Sequence, residues 1–391
     1  MKTNKLSGAV MALLLPAAIS LFSCSDDEES IVVTDPVWVT DAENLKDIAG
    51  FYVLNQGNYG NNNCTFDRFV YSSGAYENNV FLHANPTEVM GLGDTGNDIH
   101  VFGGKLYVAV NGSNLVTVTD VNTARKIADI DVPNCRYFAN DGSNVYVSSY
   151  VGQAGADPTD RRGVVMRIDT RTYTVTGTCE VGYQPEQMAV AEGKLYVANS
   201  GGYRAMYGGD YDNTVSVIDL STFTLKGTIE VAVNLFGMQY DSKHNQIFVS
   251  SQGNYMDIPS TISIIDPVTD KVKGVIDKAC TNMAVNGNSL YTYSTEWNYV
   301  TNSYTNSFAV YDIDRKEAMS TQFITDGTDS EIMCPYGMAI NPENGDIVIS
   351  DARDYVSPGR IYCYSRQGVR KWTAVTGVIP SSVAFIPKNK L

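Results

Sequence analysis

The sequence predicts an all-β fold built from a repeated four-stranded unit, and three observations lead to this prediction. Short segments rich in Val, Ile, Tyr and Thr are separated by Gly, Asn, Asp and Ser, which is typical of strands joined by tight turns. The chain contains 33 Gly and 25 Tyr and has no long segment with helical periodicity. The strand pattern recurs along the chain at intervals of roughly 40 to 55 residues.

The clearest copy of this unit lies between residues 187 and 231. It predicts four strands, at Met188–Ala191, Lys194–Asn199, Asn213–Asp219 and Thr224–Val231. The Glu192-Gly193 pair predicts a hairpin turn between the first two strands, because glycine adopts a positive φ at little cost. A single sheet of this kind cannot bury both of its faces, so the unit requires further copies to pack against.

Seven copies of the second strand of this unit can be aligned. They are Phe51–Val53, Leu106–Val108, Val145–Val147, Leu195–Val197, Ile247–Val249, Leu290–Thr292 and Asp346–Val348. Their central residues are 55, 39, 50, 52, 43 and 56 residues apart. Repeats of this length, each with four short strands, predict a seven-bladed β-propeller.

The third strand of five copies ends in an aspartate. These residues are Asp120, Asp169, Asp219, Asp266 and Asp312. An aspartate that starts a turn accepts backbone N–H groups through its carboxylate. We therefore predict that these five residues stabilise turns and have no catalytic role.

The end of the chain predicts how the ring of blades closes. Val383–Phe385 has the pattern of the innermost strands at Met188–Val190 and Met338–Ile340. The first blade has no such strand before Phe51. We therefore predict that the C-terminal strand completes the first blade, which removes an open sheet edge.

The N-terminal segment resembles a bacterial lipoprotein signal peptide. Two lysines precede a short apolar stretch broken by Pro16, and Leu21-Phe22-Ser23 then precedes Cys24, which would carry the lipid. The acidic cluster Ser25–Glu29 resembles the signal that directs lipoproteins to the outer face of the outer membrane in Bacteroidota-type bacteria; the alternative is a solvated linker. The predicted organisation is a signal peptide over residues 1–23, a lipidated acidic tether over 24–47 and the propeller over 48–391.

Charge and cysteine content restrict the partners of the chain. The formal net charge of −15 and the pI of about 4.6 argue against binding to nucleic acid, which requires a basic surface, and against anionic lipid headgroups. Membrane contact is therefore expected through the lipid anchor only. Six cysteines follow Cys24, and none has the spacing of a metal site. Disulfides are allowed outside the cytoplasm, with Cys280 and Cys334 as the favoured pair, and free buried thiols are the alternative.

Binding residues are expected on the propeller face that carries the loops between second and third strands and the connections between blades. In this chain these loops are long and rich in Tyr, Asn and Gln, which combine wide contact area with groups suited to amides or sugars. About half of these rings are expected to pack on their own blades. The predicted ligand-binding residues are Gln56, Asn58, Tyr59, Tyr137, Tyr183, Gln184, Tyr203, Tyr207, Phe236, Tyr255, Asn282, Trp297, Tyr299, Tyr336 and Arg353. The residues predicted to line the central channel are Asp98, Gln187, Asn282 and Ser382.

The sequence gives little support for catalysis. The three histidines, His83, His100 and His244, form no HExxH or similar metal-binding arrangement. There is no GxSxG motif and no glycine loop with the flanks needed to bind phosphate. Carboxylates do occur on the loop-bearing face, and a glycosidase-type pair among them stays open because their separation cannot be read from the sequence. We expect a non-enzymatic protein without a catalytic cofactor or metal.

The blade motifs resemble a known family. The segments Tyr196–Asn199, Val145–Ser149, Val215–Asp219 and Gly227–Val231 are similar to those of YncE-like seven-bladed propellers, and this resemblance spans nearly all of residues 48–391. Together with the lipoprotein signal, the acidic cluster and the Asn- and Tyr-rich loops, the chain resembles the surface cobalamin-binding BtuG lipoproteins of Bacteroidota. The resemblance implies capture of vitamin B12 or a related corrinoid, and its transfer to a TonB-dependent outer-membrane transporter.

A corrin is broad, carries amides around its rim and exposes methyl groups, so tyrosines with Asn and Gln suit it chemically. No histidine is placed to replace a cobalt ligand, so we expect a base-on corrinoid held by its periphery. The alternative from another class is a surface propeller that binds glycan or a partner protein without catalysis. An enzyme, such as a lyase or lactonase, would require a metal bound by residues of the central channel.

Overall fold

The computed structural model of the chain describes residues 35–152, 161–298, 303–320 and 322–388. Seven antiparallel sheets follow one another along the chain and form a seven-bladed β-propeller. This confirms the predicted fold class. Strands alternate with tight turns throughout, as the distribution of Val, Ile and Tyr against Gly, Asn and Asp requires.

The blades are numbered in chain order. In blades 2 to 7 the strands run outward from the centre of the propeller in chain order, whereas in blade 1 the order from the centre is β29, β2, β3, β4 and β1. Blade 1 contains β1 (Val37–Trp38), β2 (Ile48–Asn55), β3 (Thr65–Val70) and β4 (Ala75–Glu77), followed by helix α1 (Val80–Ala84). Blade 2 contains β5 (Gly96–Phe102), β6 (Lys105–Val110), β7 (Leu115–Asp120) and β8 (Lys126–Asp131). Blade 3 contains β9 (Cys135–Asn140), β10 (Val145–Ser149), β11 (Val164–Asp169) and β12 (Thr174–Glu180). Blade 4 contains β13 (Pro185–Ala191), β14 (Lys194–Asn199), helix α2 (Gly202–Met206), β15 (Thr214–Asp219) and β16 (Thr224–Glu230).

The remaining three blades have the same order. Blade 5 contains β17 (Leu235–Asp241), β18 (Gln246–Ser251), β19 (Thr261–Asp266) and β20 (Lys271–Ile276). Blade 6 contains β21 (Asn282–Asn286), β22 (Ser289–Asn298), β23 (Ser303–Asp312) and β24 (Glu317–Ser320), followed by a 3-10 turn (Thr328–Glu331). Blade 7 contains β25 (Pro335–Ile340), β26 (Ile347–Asp351), β27 (Pro358–Tyr364) and β28 (Arg370–Val378), and the chain then returns to blade 1 with β29 (Pro380–Pro387).

The last strand closes the ring. Strand β29 pairs antiparallel with β2, with Tyr52 opposite Ala384 and Val53 opposite Val383. This confirms the predicted closure of the first blade by the C-terminal strand. At the other edge of this sheet, Val37 of β1 lies opposite Tyr76 of β4. Part of the segment predicted as a tether before residue 48 therefore belongs to blade 1 in the structure.

The hydrophobic core is divided among seven clusters, and each cluster joins two neighbouring blades. The tyrosines at the centre of the second strands are fully buried in these interfaces. The hydroxyl of Tyr52 donates to the carbonyl of Val121 in blade 2 at 2.9 Å, and that of Tyr196 donates to the carbonyl of Pro267 in blade 5 at 3.0 Å. Tyr52 and Tyr196 therefore supply apolar area to an interface and also join one blade to the next, whereas Tyr146 donates to Asp141 of its own blade.

The aspartates at the ends of the third strands have the predicted role. Asp120, Asp169, Asp219, Asp266 and Asp312 each accept a backbone N–H from a residue two or three positions further along the chain. In Asp169 the N–H groups of Arg171 and then Thr172 stabilise the carboxylate and lower its pKa to about 2. The same local hydrogen bonding recurs in blade after blade.

Blade 6 differs from its prediction. Residues 296–306 were expected to form a loop, but β22 and β23 extend into a long hairpin in which Thr295 lies opposite Asn306 and Glu296 opposite Thr305. The alternation of Tyr and Thr with polar residues supports strands up to the end of this segment.

The six cysteines at positions 64, 135, 179, 280, 334 and 363 are all free and buried. Among the described residues, Cys280 and Cys334 therefore form no disulfide, and the alternative of buried thiols holds. No helix in the described part of the chain is long and apolar enough to cross a membrane. The predicted signal peptide and Cys24 lie outside the described residues.

Candidate ligand-binding face

The antiparallel order of the strands divides the connections between two faces of the propeller. The loops between second and third strands and the connections between blades lie at one end of the sheets, which we call the loop face. The hairpins between first and second strands and the aspartate turns lie at the other end, which we call the turn face. The predicted binding residues lie on or near the loop face.

Rings and guanidinium groups of blades 3, 4 and 5 form a continuous series on the loop face. We call this series the arginine–tyrosine cluster; it comprises Phe236, Tyr137, Arg136, Tyr150, Tyr203, Arg204, Tyr183 and Arg162. At its inner end, the rings of Tyr137 and Phe236 meet edge to face with centroids 5.8 Å apart. The Arg136 guanidinium carbon lies 5.7 Å from the centroid of Tyr137 and 4.5 Å from that of Tyr150. Both distances suit a cation–π interaction.

The series continues from blade 3 into blade 4. The rings of Tyr150 and Tyr203 lie 5.8 Å apart at 76°. Tyr203 and Arg204 belong to the short helix α2, and the Arg204 guanidinium lies 4.6 Å from the centroid of Tyr183. Helix α2 starts after Gly201, which has a φ of 60° and where a Cβ would lie 2.2 Å from the backbone nitrogen of Asp212. Glycine is therefore required to place this helix beside the channel.

A buried ion pair supports the cluster from below. The Arg136 Nη2 lies 3.3 Å from Oε2 of Glu186, and the two side chains are only 16% and 6% exposed. The other carboxylate oxygen, Oε1, accepts the hydroxyls of Tyr150 and Ser200. Burial raises the pKa of Tyr150, so its hydroxyl remains protonated and donates. Glu186 therefore holds an arginine and a tyrosine of blade 3 against blade 4.

Arg136 is incompletely satisfied by this arrangement. Its Nε is buried and has no hydrogen-bond partner within the part of the chain that the structure describes. A guanidinium has five N–H donors, and Glu186 accepts one of them. The group therefore retains donors at the inner end of the cluster, where the rings of Tyr137 and Phe236 meet.

A second group of side chains lies on blades 6, 7 and 1. We call it the tyrosine–amide cluster; it comprises Tyr336, Tyr355, Tyr304, Cys334, Gln56 and Asn58. The Tyr336 hydroxyl donates to Oε1 of Gln56 at 3.1 Å, and its ring meets that of Tyr355 edge to face at 5.8 Å. The amide of Asn58 donates to the carbonyl of Tyr355 at 2.7 Å. This cluster is thus connected across the closure of the ring.

The residues predicted for the central channel tie innermost strands to one another. Asp98 accepts the N–H of Phe138 at 2.9 Å and the hydroxyl of Ser382 at 2.7 Å, which joins blades 1, 2 and 3. Gln187 accepts the N–H of Met238 at 3.0 Å, which joins blades 4 and 5. Burial raises the pKa of Asp98 to about 6.

Other predicted binding residues are more scattered. Tyr59, Tyr207 and Tyr255 are exposed at loop tips, with 61%, 65% and 74% of their surface accessible. Gln184 is buried, and its Oε1 accepts the N–H of Arg204, so it supports helix α2 instead of facing a ligand.

The remaining predicted residues either form local hydrogen bonds with nearby backbone groups or lie outside the described residues. The oxygen of the Asn282 side chain accepts the N–H of Met283 at 2.7 Å, and Nη1 of Arg353 donates to the carbonyl of Pro358 at 3.2 Å. Trp297 lies in β22 opposite Tyr304, but its side chain is outside the described part of the structure, as is the whole of Tyr299.

Sequence reasoning missed several members of the arginine–tyrosine cluster. Arg136, Glu186, Arg162 and Arg204 were not predicted as binding residues, although Arg136 is adjacent to Tyr137 in the sequence. The available signal was composition: the chain has 28 Lys and Arg against 43 Asp and Glu, so arginines grouped in loops are unusual in it. Their convergence depends on which loops are neighbours in the ring, and this cannot be read from spacing alone.

Two concave regions are present near these loops. An open groove of about 450 Å³ is lined by Val151, Arg161, Arg162, Val164, Glu180 and Tyr183. A cavity of about 250 Å³ between blades 1 and 2 is lined by Phe81, Leu92, Lys126 and their neighbours, and contains no residue of either cluster. Among the described residues, no group of His, Cys, Asp and Glu could hold a metal ion.

A family model for a domain of unknown function, DUF5074, matches residues 49–364. The chain belongs to the DUF5074 family. The DUF5074 match begins in β2 and ends with β27, so it includes both clusters. A search of curated protein sequences gave no match. Among solved structures, the chain is similar to the hydrazine synthase of Kuenenia stuttgartiensis, with 16% sequence identity and a TM-score of 0.58 over 74% of this chain and 89% of that one. At this identity the likeness shows the fold alone.

Proposed function

We propose that this protein is a surface-exposed, lipid-anchored, non-enzymatic lipoprotein that captures cobalamin or a related corrinoid on its loop face and transfers it to a TonB-dependent outer-membrane transporter. The observation that carries the proposal is the arginine–tyrosine cluster, which brings aromatic rings and guanidinium groups from three blades together on one face. The tyrosine–amide cluster adds further rings from blades 6 and 7 and two amide side chains from blade 1.

The chemistry of these clusters suits a large flat ligand with a polar rim. Tyrosine rings provide apolar contact with the methyl groups and plane of a corrin, at a small cost in side-chain entropy. The hydroxyls, amides and guanidinium groups can exchange hydrogen bonds with the amides on the corrin periphery. The capture role therefore requires contacts to the edge of the ligand, and no protein ligand to cobalt.

The test is a titration of the purified chain with cyanocobalamin. Binding is measured by calorimetry and, in parallel, by the change in visible absorbance of the corrin. We expect one-to-one binding at nanomolar strength or tighter. Replacing a central aromatic residue, as in Tyr203→Ala or Tyr137→Ala, is expected to cost on the order of 2 kcal/mol of binding free energy, because anchoring rings dominate such interfaces. The matched control is Tyr173→Ala, on the turn face, which is expected to bind like the parent.

Absence of both heat and spectral change at micromolar protein would exclude corrinoid capture. The loop face would then be assigned to a partner protein or glycan, and one observation favours the former. Met206, Tyr207, Tyr255 and Met256 are 65%, 65%, 74% and 84% exposed at the loop tips of blades 4 and 5. Exposed Met and Tyr at loop tips are common in protein-binding surfaces.

A further inference from the structure

Positive charge is concentrated at one place on an otherwise acidic protein. The chain has a formal net charge of −15, yet Arg161, Arg162 and Arg204 lie around the ring of Tyr183 between blades 3 and 4. The guanidinium carbons of Arg162 and Arg204 lie 5.3 and 4.6 Å from the centroid of this ring. Two guanidinium groups therefore lie within cation–π distance of one tyrosine ring.

The carboxylate of Glu180 neutralises Arg162 only weakly. Nε of Arg162 lies 4.0 Å from Oε1 of Glu180, and the two side chains are 52% and 72% exposed. An exposed pair at this distance contributes little. Arg161 is exposed and has no ion pair within the described ranges. Nη1 of Arg204 donates to the backbone carbonyl of Asp210 at 2.9 Å, which fixes its side chain over Tyr183.

Arg161, Arg162 and Tyr183 line the open groove of about 450 Å³, together with Val151, Val164 and Glu180. Arginine presents planar N–H donors that match the oxygens of phosphate in pairs. We propose that this groove is an anion subsite that binds a phosphate or phosphodiester group of the ligand through Arg161 and Arg162. Arg204 acts as a positioning residue, because its guanidinium group contacts the ring of Tyr183 and does not line the groove.

If the proposed function is correct, the anion subsite predicts which corrinoids the protein prefers. Cobalamin carries a phosphodiester in the chain that links the corrin to its lower base, whereas cobinamide has the same corrin and lacks this group. The open groove lies at the outer end of the arginine–tyrosine cluster. A cobalamin whose corrin lies on the cluster could therefore place its phosphodiester in the groove. The protein should therefore prefer cobalamin to cobinamide.

The experiment compares cyanocobalamin and dicyanocobinamide by calorimetry on the purified wild-type chain and the double variant Arg161→Gln/Arg162→Gln. The matched control is Arg171→Gln on the turn face, whose side chain is 88% exposed. We expect the double variant to raise the Kd for cyanocobalamin about tenfold or more, as for loss of charge-assisted hydrogen bonds, with little change for dicyanocobinamide. Added NaCl should weaken binding of cyanocobalamin more than that of dicyanocobinamide.

Equal effects of the double variant on the two corrinoids, or no effect on either, would overturn the subsite while leaving corrinoid capture intact. If the wild type binds neither corrinoid, the proposed function is wrong. The anion subsite is then tested separately, by measuring whether inorganic phosphate stabilises the protein. A rise in Tm with phosphate relative to NaCl at equal ionic strength, which is lost in the double variant, would support the anion subsite. The same response in both proteins would overturn it.

Discussion

The two faces of this propeller are built from the same seven blades but are stabilised by different kinds of contact. On the turn face, each aspartate at the end of a third strand accepts N–H groups from its own turn, as Asp219 does from Ser221 and Thr222. On the loop face, the contacts join residues that are far apart in the chain, such as Arg136 with Glu186 and Tyr336 with Gln56. Repeated short-range contacts therefore mark the scaffold, and unrepeated contacts between blades mark the place where this chain differs from a generic propeller.

The largest effect is expected from opening the ring, on which both faces depend. Truncation after Pro380 removes the pairing of β29 with β2, including Tyr52 opposite Ala384, and exposes a long edge of blade 1. We expect loss of the cooperative unfolding transition, measured by circular dichroism during heating. A truncated chain that melts like the full chain would show that the closure contributes nothing to stability.

A smaller effect is expected from the ion pair beneath the arginine–tyrosine cluster. Glu186→Gln leaves the Arg136 guanidinium buried without its counter-charge, which is expected to cost about 3 kcal/mol of unfolding free energy. On the turn face, Asp219→Ala removes local acceptors from a solvent-exposed turn and is expected to cost much less. Urea denaturation of both variants measures this difference between the faces.

The double variant Arg136→Met/Glu186→Met provides the control for this prediction. It removes both charges together, so most of the stability should return, while ligand binding should remain weakened because the guanidinium is lost. If Glu186→Gln is no more destabilising than Asp219→Ala, the prediction is wrong. The ion pair between Arg136 and Glu186 would then stabilise the protein no more than a single aspartate turn does.

The contrast between the faces also explains what could be predicted from the sequence. The blade anchors around Tyr107 and Tyr196, the aspartate turns and the closing strand were predictable, because a pattern that recurs in most of the blades is visible without any structure. The partnership of Arg136 with Glu186 was not predictable, since the two residues lie 50 positions apart and meet only because blades 3 and 4 are neighbours.

Among the predicted binding residues, the aromatic side chains of Tyr137, Phe236, Tyr183 and Tyr203 do converge in one cluster. Gln184 was predicted as a binding residue because it is polar and lies in a loop. Its side chain is buried, however, and accepts the N–H of Arg204 in helix α2. The short helix itself gave no signal, because five residues with a glycine at the start carry no helical periodicity. Composition thus located the face, and only packing separates residues that face solvent from residues that support them.

The smallest expected effect compares two aspartates whose pKa values are shifted in opposite directions. The backbone N–H groups of its turn lower the pKa of Asp169 to about 2, and burial raises the pKa of Asp98 to about 6. A lowered pKa contributes stability above about pH 4, which is lost as the pH falls toward 2. A raised pKa contributes stability below about pH 4, which is lost as the pH rises through 6. Of these two residues, only Asp98 should make the protein less stable as the pH rises from 4 to 6.

The measurement is the unfolding free energy of the wild type and of Asp98→Asn from pH 4 to pH 6.5. The wild type should lose on the order of 2 kcal/mol relative to the variant over this interval, since one pKa unit corresponds to about 1.4 kcal/mol. His100 lies on the same strand, and burial lowers its pKa to about 4, so its own contribution rises with pH over much of this window. Both proteins contain His100, so the difference between them isolates Asp98. An Asp169→Asn variant should run parallel to the wild type over this interval, and a flat difference between the wild type and Asp98→Asn would show that water in the channel solvates Asp98 as it solvates the turn aspartates.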